Sequence, residues 1–407
     1  MKIRSITYFL DPEQPLARHG VPQAGVFLAQ ASLAFQGAGY AVQTTRLATT
    51  PFCEWVGKTQ STPAALQSRV EELEQTVGEV GIAYISLGPA MPELPWAYRA
   101  IPDLLAATRN VFFSGAMTDR QGSVSLSAVR ACAEVIARAA PISPDGFANL
   151  RFAALANVSP GSPFFPAAYH MGIEPAFALA TEAAPLAVEA FSSAGSLSEG
   201  RRNLVQAIEN HARSLIDISS GLTGQFGVHF SGIDFSLAPF PEQALSLGTA
   251  LERIGAPVVG YHGSLAAAAI LADTLDRAVF PRVGFSGLFL PVLEDAVLAR
   301  RAAQGELTVN DLLLYSAVCG SGLDTIPLPG DTTIEQLTAV LVDLATLATR
   351  LGKPLTARLM PIPGKVAGDP TDFKFDFFAN SRVMNLRAEP LVNLLGGDEE
   401  INLKVIR

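Results

Sequence analysis

The segment Gly320-Ser321-Gly322-Leu323-Asp324-Thr325-Ile326-Pro327-Leu328-Pro329-Gly330-Asp331 combines glycine, proline and carboxylate residues between two strong helix signals. Upstream of it, Thr308 and Asp311 open an apolar run that is typical of a capped helix. Downstream, Thr332 and Glu335 predict a second capping box before a helix that ends at Gly352. Rigid polar loops between well-specified helices commonly hold functional groups in place. The sequence therefore predicts a loop at 320–331 that forms part of a site.

Composition predicts a large buried core. The chain has 407 residues, of which 49% are hydrophobic and 16% are charged, well below the usual quarter for charged residues. We expect one large α/β domain over residues 1–407, with part of its surface covered by another subunit in a homodimer. The turn-rich hexapeptide at 141–146 is compatible both with a boundary between two lobes and with an ordinary surface loop.

Charge and cysteine content limit the classes of partner and compartment. With 38 acidic and 29 basic residues the formal net charge is −9, which repels polyanions and argues against nucleic acid as a partner. No stretch approaches 18 uninterrupted apolar residues, so we expect no membrane span. Cys53, Cys132 and Cys319 are far apart and form no C-x-x-C pair, which argues against a structural zinc site or a disulfide framework. A cytoplasmic protein fits these features.

Strand-like and helix-like runs alternate along the chain, which predicts a mostly parallel sheet with helical crossovers. The predicted strands are residues 2–10, 82–87, 111–114, 150–158, 226–237, 287–292, 354–361 and 373–378. The predicted helices are residues 23–36, 63–77, 127–139, 174–189, 199–216, 242–254, 265–277 and 334–351.

Six unusual segments place polar or glycine residues at the ends of strand-like runs, where α/β folds bind ligands. They are residues 157–170 (NVSPGSPFFPAAYH), 217–241 (DISSGLTGQFGVHFSGIDFSLAPFP), 280–295 (FPRVGFSGLFLPVLED), 319–331, 352–369 (GKPLTARLMPIPGKVAGD) and 373–384 (FKFDFFANSRVM). Together these segments resemble the uncharacterised family known as domain of unknown function 711 or uncharacterised protein family 0210. The resemblance covers essentially the whole chain. It implies a fold similar to the ten-stranded α/β barrel of the pyruvate formate-lyase-like glycyl radical enzymes, and it implies no established reaction.

Radical chemistry itself is not predicted. Glycyl radical enzymes carry Arg-Val, one small residue, then glycine and an aromatic residue, whereas Arg282-Val283-Gly284-Phe285 lacks the intervening residue. The fingerprint also normally lies near the C-terminus, and here more than a hundred residues follow it. We therefore interpret Gly284 as a tight entry into a strand and predict that Cys319 is a packing residue.

Carboxylates on glycine- and proline-rich loops form the first candidate site. Asp234, Asp324, Asp331 and Asp369 could bind a hard divalent cation such as Ca²⁺ or Mg²⁺ or share a proton in acid–base chemistry. We assign Asp324, Asp331 and Asp369 to the metal, and Asp234 and Asp324 to catalysis. The alternative is that Asp331 caps a helix while Asp324 and Asp369 close turns.

Basic residues near the C-terminal part of the chain form a second candidate site. Strand alternation places Thr356 and Arg358 on one face, and a guanidinium with the Lys365 ammonium would suit a carboxylate or phosphate. Ser321, Gly322 and Arg382 complete the predicted set of ligand-binding residues. Structural ion pairs with nearby aspartates are the equally weighted alternative for the basic residues.

Two histidines are candidates for a general base or a ligand. His170 ends a segment rich in proline and phenylalanine, and His229 lies in a strand-like run that reaches Asp234. A lone histidine in an apolar strand is more often a hydrogen-bonded core residue. The glycines at 221, 224 and 227 do not open a helix after a strand, so the dinucleotide-binding motif fails on context.

The sequence favours an enzyme of unknown reaction that binds a small anionic metabolite and uses acid–base or metal-assisted chemistry. The alternative is a metabolite-binding or regulatory protein without turnover. Perturbed titration of a carboxylate or histidine in the pocket would favour the enzyme. A pocket whose charged groups are all paired with each other would favour the alternative.

Overall fold

The protein has a mixed α/β fold built around a nine-stranded sheet. The structure is a computed structural model and describes residues 1–12, 20–56, 63–172, 174–318 and 320–406. No helix within these ranges is both long enough and apolar enough to span a membrane. The prediction for Cys319 lies outside the described residues.

The strands are β1 (Lys2–Leu10), β2 (Val42–Thr49), β3 (Tyr84–Ala90), β4 (Val111–Ala116), β5 (Val124–Ser125), β6 (Phe152–Ala156), β7 (Ala176–Glu182), β8 (His229–Asp234), β9 (Gly322–Pro329), β10 (Leu355–Ile362) and β11 (Glu400–Ile401). The α-helices are α1 (Val21–Gly37), α2 (Phe52–Val56), α3 (Pro63–Glu79), α4 (Pro95–Ala107), α5 (Leu126–Ala139), α6 (Ala184–Ser192), α7 (Leu197–Phe226), α8 (Leu247–Ile254), α9 (Ser264–Asp276), α10 (Ala296–Ala303), α11 (Val309–Ser316) and α12 (Ile334–Leu351).

The large sheet has the strand order β8-β7-β1-β2-β3-β4-β6-β10-β9, and β5 pairs with β11 in a separate two-stranded sheet. The five central strands, β1, β2, β3, β4 and β6, are parallel to one another. β7 is antiparallel to β1, and β10 is antiparallel to β6. β8 is parallel to β7, and β9 is parallel to β10. The sheet therefore has a parallel centre flanked by two oppositely directed pairs.

Both edges of this sheet contact the same segment of chain, residues 282–291. Isolated parallel bridges join Arg282 to Ile233 of β8 and Pro291 to Asp324 of β9. Backbone hydrogen bonds accompany them, because the Leu237 amide donates to Gly287 (3.0 Å) and the Val292 amide donates to Asp324 (3.0 Å). Residues 287–292, which were predicted as a strand, form isolated bridges at Leu288 and Pro291 and no continuous strand.

The segment predicted as a loop at 320–331 is instead mostly strand β9, so this prediction was wrong. Proline normally disrupts a sheet because it has no amide proton, and it is confined to edges and bulges. β9 ends the strand order, and its pairing with β10 shifts register between Ala357 and Leu359. Thr325 has a positive φ of 45° at this irregularity. An edge position with a bulge therefore accommodates Pro327 and Pro329.

Other assignments also changed, and α2, α4 and α10 were not predicted. The helix predicted at 174–189 begins as β7 and becomes helical only from Ala184. The strand predicted at 373–378 is irregular, and β2 was not predicted. The aromatic residues at 373–378 pack on one another instead, with Phe373 and Phe378 ring centroids 5.1 Å apart.

The two faces of the sheet are covered by different parts of the chain. Tyr8 of β1 packs against Phe27 of α1, with ring centroids 5.4 Å apart. Its neighbour Thr7 points to the opposite face, where its hydroxyl donates to the Pro163 carbonyl (3.0 Å). We call this the inner face. Helices therefore cover one face, while the segment at 158–170, with Phe165 in its apolar core, lies on the inner face.

Candidate functional site

An arginine-rich cavity of about 200 Å³ lies on the inner face, toward the amino ends of the five parallel strands. Its lining residues are Arg4, Gln43, Thr44, Arg46, Tyr84, Arg109, Asn110, Phe112, Phe147, Leu150, Arg151, Phe165, Glu294, Arg358, Phe375 and Phe377. Five of these residues are arginines and one is a glutamate. Among the predicted site residues, Arg358 alone belongs to this lining.

Arg358 is buried and paired with two carboxylates. Its Nη2 donates to Asp324 Oδ2 (2.9 Å) and to Glu294 Oε1 (2.8 Å), and its Nε donates to Asp324 Oδ1. Burial alone would lower the pKa of Arg358, but the charges of Asp324 and Glu294 outweigh burial and raise it above its ordinary value. The interpretation of Arg358 as a structural ion-pair partner therefore fits better than its assignment as the anion-binding group.

Glu294 links a second arginine to this network. Its Oε2 accepts a hydrogen bond from Arg4 Nη2, while its Oε1 pairs with Arg358. Burial tends to raise the pKa of Glu294, but the charges of Arg4 and Arg358 hold it below its usual range. Within the buried chain Arg4–Glu294–Arg358–Asp324, Glu294 and Arg358 therefore stay ionised at neutral pH.

Arg46 of β2 has no carboxylate within salt-bridge distance in the described part of the chain, whereas Arg358 has two. Its side chain lies above the Phe165 ring (5.0 Å) and near the Tyr84 ring (5.9 Å). The guanidinium makes one hydrogen bond to a described residue, from Nε to Thr44 Oγ1 (2.9 Å). Burial and the nearby charge of Arg4 lower the pKa of Arg46 to about 9. This environment makes the positive charge costly until an anion accompanies it.

Two further groups near this charged region have polar atoms without a partner among the described residues. Gln43 lines the cavity, and its buried Oε1 lacks a hydrogen bond. Glu182, at the end of β7, is buried and its Oε2 is also unpaired, while its Oε1 lies 3.4 Å from Lys2 Nζ. Burial raises the pKa of Glu182 despite the charges of Arg4 and Lys2.

Asp234 anchors the segment that was compared with the glycyl radical fingerprint. Its two oxygens accept hydrogen bonds from the amides of Phe285 and Ser286, both 2.9 Å, and Oδ1 also accepts from Ser236. A Cβ at Gly284 would collide with this carboxylate. Burial raises the pKa of Asp234 to about 6, against the opposing effect of these donors. The geometry gives Asp234 a structural role, and it does not line the arginine-rich cavity.

Replacing Asp234 with asparagine should change the pH dependence of stability. The native carboxyl has a pKa of about 6 against 3.8 unperturbed, so its contribution is fully present below pH 4 and lost as pH rises through about 6. Between pH 4 and pH 7, the free energy of unfolding of Asp234→Asn relative to wild type should rise by about 2–3 kcal/mol. Urea unfolding at four pH values measures this difference. A constant difference would show that the native carboxyl titrates normally.

The predicted histidines lie away from the cavity. The His170 amide donates to the Thr49 carbonyl (2.9 Å), which places this residue at the carboxyl end of β2. Its ring is buried, Nε2 has no partner among the described residues, and burial lowers its pKa. His229 is exposed at the amino end of β8. The six residues predicted to border one cavity, His170, Asp234, Asp324, Arg358, Lys365 and Asp369, are therefore not brought together as a set.

The remaining ligand-binding candidates have structural contacts. Thr356 Oγ1 donates to the Ser321 carbonyl (3.0 Å), and Gly322 lies against the Thr356 backbone. Ser321 is buried and its Oγ has no partner among described atoms. Lys365 Nζ donates to the Pro370 carbonyl (3.0 Å). Arg382 donates to the Gly368 carbonyl (2.7 Å) and lines a separate cavity of about 390 Å³.

The predicted metal ligands do not form a cluster. Asp324 is held by Arg358, and Asp369 Oδ2 accepts from the Val366 amide (2.9 Å), as in a turn. Asp331 is exposed. Among the described residues, no three histidine, cysteine or acidic side chains are close enough to hold a metal ion. The structure thus supports the turn and ion-pair interpretation of Asp324 and Asp369.

Another cavity, of about 340 Å³, lies where ligands of parallel α/β sheets usually bind, at the carboxyl ends of β3, β4 and β6. Asn157 and Tyr169 from the segment at 157–170 line it. Tyr169 donates its hydroxyl to the Val158 carbonyl (2.8 Å), and Arg120 at the rim pairs with Glu54 (3.0 Å). The polar groups of this cavity are therefore largely occupied, in contrast to Arg46.

Comparison with known proteins places the chain in a family. A family model described as Uncharacterised ACR (DUF711) matches residues 1–380. The chain belongs to the DUF711 family. Curated relatives carry the name UPF0210 protein, including one from Methanopyrus kandleri that is 31% identical over 351 residues, covering 81% of this chain and 77% of the relative.

Other UPF0210 relatives match over different shares of their length. The relative from Pyrobaculum aerophilum is 37% identical over 256 residues, which is 60% of this DUF711 protein and 56% of the relative. The relative from Neisseria gonorrhoeae is 28% identical over 349 residues, covering 82% and 77%. The match thus spans little more than half of the Pyrobaculum aerophilum relative. These names assign the family and no activity.

Sequence reasoning missed Arg4, Arg46 and Glu294. Arg46 lies in β2, which was not predicted, and its register partner in β1 is Thr7. A signal was present, because residues 42–49 (VQTTRLAT) are rich in β-branched residues with a single charge. A lone arginine in a buried strand of this DUF711 protein was therefore a detectable anomaly.

Proposed function

We propose that this DUF711 protein binds a small anion in the arginine-rich cavity, with Arg46 as the principal binding group. The observation that carries the proposal is the burial of Arg46 without a carboxylate partner among the described residues, beside an open cavity. A buried cation without a counter-charge is unfavourable, and an anion that fills the cavity removes that cost.

The role of Arg358 in this proposal is to position other groups. It is occupied by Asp324 and Glu294, so its charge is already compensated. Glu294 in turn holds Arg4 at the cavity wall. The ion-pair chain therefore keeps the cavity rigid and leaves Arg46 as the group that recognises the ligand.

Replacing Arg46 with glutamine should weaken anion binding by roughly 10- to 150-fold, because a charge-assisted hydrogen bond contributes about 1.5–3 kcal/mol. Isothermal titration calorimetry with acetate, benzoate and inorganic phosphate measures the change. Arg46→Lys should recover part of the affinity, since it retains the charge but loses the planar fork.

The matched control for Arg46→Gln is Arg109→Gln. Arg109 lines the same cavity but is exposed, so its replacement should change affinity by less than about tenfold. The proposal fails if the wild-type protein binds none of these anions, or if Arg46→Gln binds them as tightly as wild type.

A second candidate function is acid–base catalysis on the bound anion. It is supported by Glu182, which lies outside the cavity lining but is buried with an unpaired oxygen and a raised pKa near Arg4 and Glu294. Carboxylates in such environments are suited to proton transfer near neutral pH. Turnover that follows a pH profile altered by Glu182→Gln would favour an enzyme. Unchanged anion binding without any turnover would favour the binding protein.

We also propose that the large sheet closes into a ten-stranded barrel similar to that of the glycyl radical enzymes, with residues 282–291 as the tenth strand. The support is the set of parallel bridges from this segment to β8 and β9. Closure predicts slow hydrogen exchange at the Ile233 and Leu237 amides, which donate to Pro281 (2.8 Å) and Gly287 (3.0 Å). Exchange as fast as in an unpaired edge strand would contradict closure.

We also propose that the protein is cytoplasmic and forms a homodimer.

A further inference from the structure

Charge balance at the arginine-rich cavity indicates which buried group needs an anionic partner. Lys2, Arg4 and Arg358 each have a carboxylate within salt-bridge distance, namely Glu182, Glu294 and the Asp324–Glu294 pair. Arg46 is left as the uncompensated buried cation of this group, as judged from the described residues. Arg151 and exposed Arg109 also line the cavity, and Arg151 donates its hydrogen bonds to the Leu105, Thr108 and Val111 carbonyls. One negative charge on a ligand therefore compensates buried Arg46, and the cavity stays positively charged around it.

The walls of the cavity favour a ring. The aromatic residues in the lining are Tyr84, Phe112, Phe147, Phe165, Phe375 and Phe377. Phe112 meets Tyr84 and Phe165 at centroid distances of 5.4 Å in each case, nearly edge to face. Such rings prefer offset or edge-to-face contacts with another ring. The lining therefore combines buried Arg46 with six aromatic side chains.

The size of the cavity agrees with a single ring. A protein cavity of roughly 150 Å³ accommodates benzene, and this cavity measures about 200 Å³. The additional volume suits one carboxylate group. Exposed Arg109 and Asn110 are part of the lining, so the cavity opens to solvent and a ligand can enter.

We propose that the ligand of this cavity is an aromatic monocarboxylate, with its carboxylate paired to the Arg46 guanidinium and its ring against the aromatic wall. This inference rests on the proposed anion-binding function and specifies its ligand class. A carboxylate matches the planar guanidinium through two parallel hydrogen bonds. The rings of Phe375 and Phe377, from the C-terminal part of the chain, then lie over the ligand on the open side.

The experiment compares four probes by isothermal titration calorimetry with the full chain: benzoate, acetate, inorganic phosphate and benzamide. Benzoate should bind at least about tenfold more tightly than acetate, because even one additional methylene in an apolar pocket improves binding by about tenfold. Benzamide keeps the ring but lacks the charge, and should bind roughly 10- to 150-fold more weakly than benzoate. Phosphate should bind more weakly than benzoate.

A variant of the wall separates ligand recognition from folding. Phe377 is half-buried in the cavity lining, so Phe377→Ser should leave the protein folded while weakening benzoate binding and leaving acetate binding unchanged. A merely structural effect would weaken both probes together and would count against the aromatic wall.

The outcomes distinguish the two proposals. Tighter binding of acetate or phosphate than of benzoate, lost in Arg46→Gln, would overturn the ligand class and leave anion binding in place. Absence of binding by every anion would overturn both. Equal binding of benzamide and benzoate would show that the carboxylate makes no stabilising contact with Arg46, and would therefore also overturn the ligand class.

Discussion

Replacing Arg358 with methionine should lower the free energy of unfolding by about 3–5 kcal/mol, the range for removing one partner of a buried ion pair. The substitution retains much of the apolar stem but leaves Asp324 buried without its guanidinium. Glu294 loses one of its two arginines and keeps Arg4. Urea unfolding monitored by circular dichroism measures the change.

Two further variants test the cause of this loss. In the double variant Arg358→Met/Asp324→Leu, the unpaired charge is removed, and most of the stability should return because apolar replacements of buried ion pairs are often neutral or stabilising. The control Arg120→Met breaks an exposed pair with Glu54 (3.0 Å) and should cost less than about 1 kcal/mol. If Arg358→Met costs no more than this control, Arg358 is not a stabilising ion-pair partner.

Replacing Gly322 with alanine should destabilise the protein by about 2–5 kcal/mol. Gly322 opens β9 with a φ of 97°, and a Cβ there would collide with the Thr356 carbonyl and lie 2.9 Å from the Thr356 nitrogen. The left-handed backbone contributes about 1–2 kcal/mol of strain, and crowding against backbone adds roughly 1–3 kcal/mol. Thermal unfolding measures the total.

Gly368→Ala is the matched control for Gly322→Ala. Gly368 has a similar φ of 91°, but a Cβ there would meet no described atom within 4 Å. Its replacement should therefore cost only the backbone strain of about 1–2 kcal/mol. An equal loss of stability at both positions would mean that β9 moves away from β10 at little cost in free energy. The close contact between these strands would then not be rigid.

Local sequence signals predicted the capped helices α11 and α12, but missed helices α2, α4 and α10 and strand β2. The helix at 334–351 was predicted with its observed bounds, although its capping box uses Thr333 and Gln336 and not Thr332 and Glu335. The capping box at Thr308 and Asp311 was confirmed. These signals work because the cap and the periodic apolar face lie within a few residues of each other.

The errors at β7 and β9 have a common physical cause. The alanine-rich run that begins at Ala176 has helix propensity, but pairing with β1 on one side and β8 on the other makes it a strand. In β9, the prolines indicate a loop, and only the edge position makes a strand possible. Strand pairing depends on residues distant in sequence, so local propensity does not decide it.

The candidate site was predicted in part. The sequence singled out Asp324 and Arg358, and the structure joins them, but as a buried ion pair. Choosing between an anion pocket and an ion pair required knowing that Glu294 and Asp324 both reach Arg358. Arg46 was missed because β2 was not predicted, although its β-branched residues were a local signal. Its lack of a carboxylate partner depends on residues distant in sequence.

The sequence by itself determined the α/β class, the capped helices, the family and the size of the core, because composition, capping and apolar periodicity act over short distances. Tertiary structure alone decided which charges are compensated. Arg4, Glu294, Arg358 and Asp324 come from separate parts of the chain and are held together by the sheet. Burial then sets the cost of each unpaired charge, and the fold gives Arg46 aromatic neighbours and no carboxylate within salt-bridge distance among the described residues.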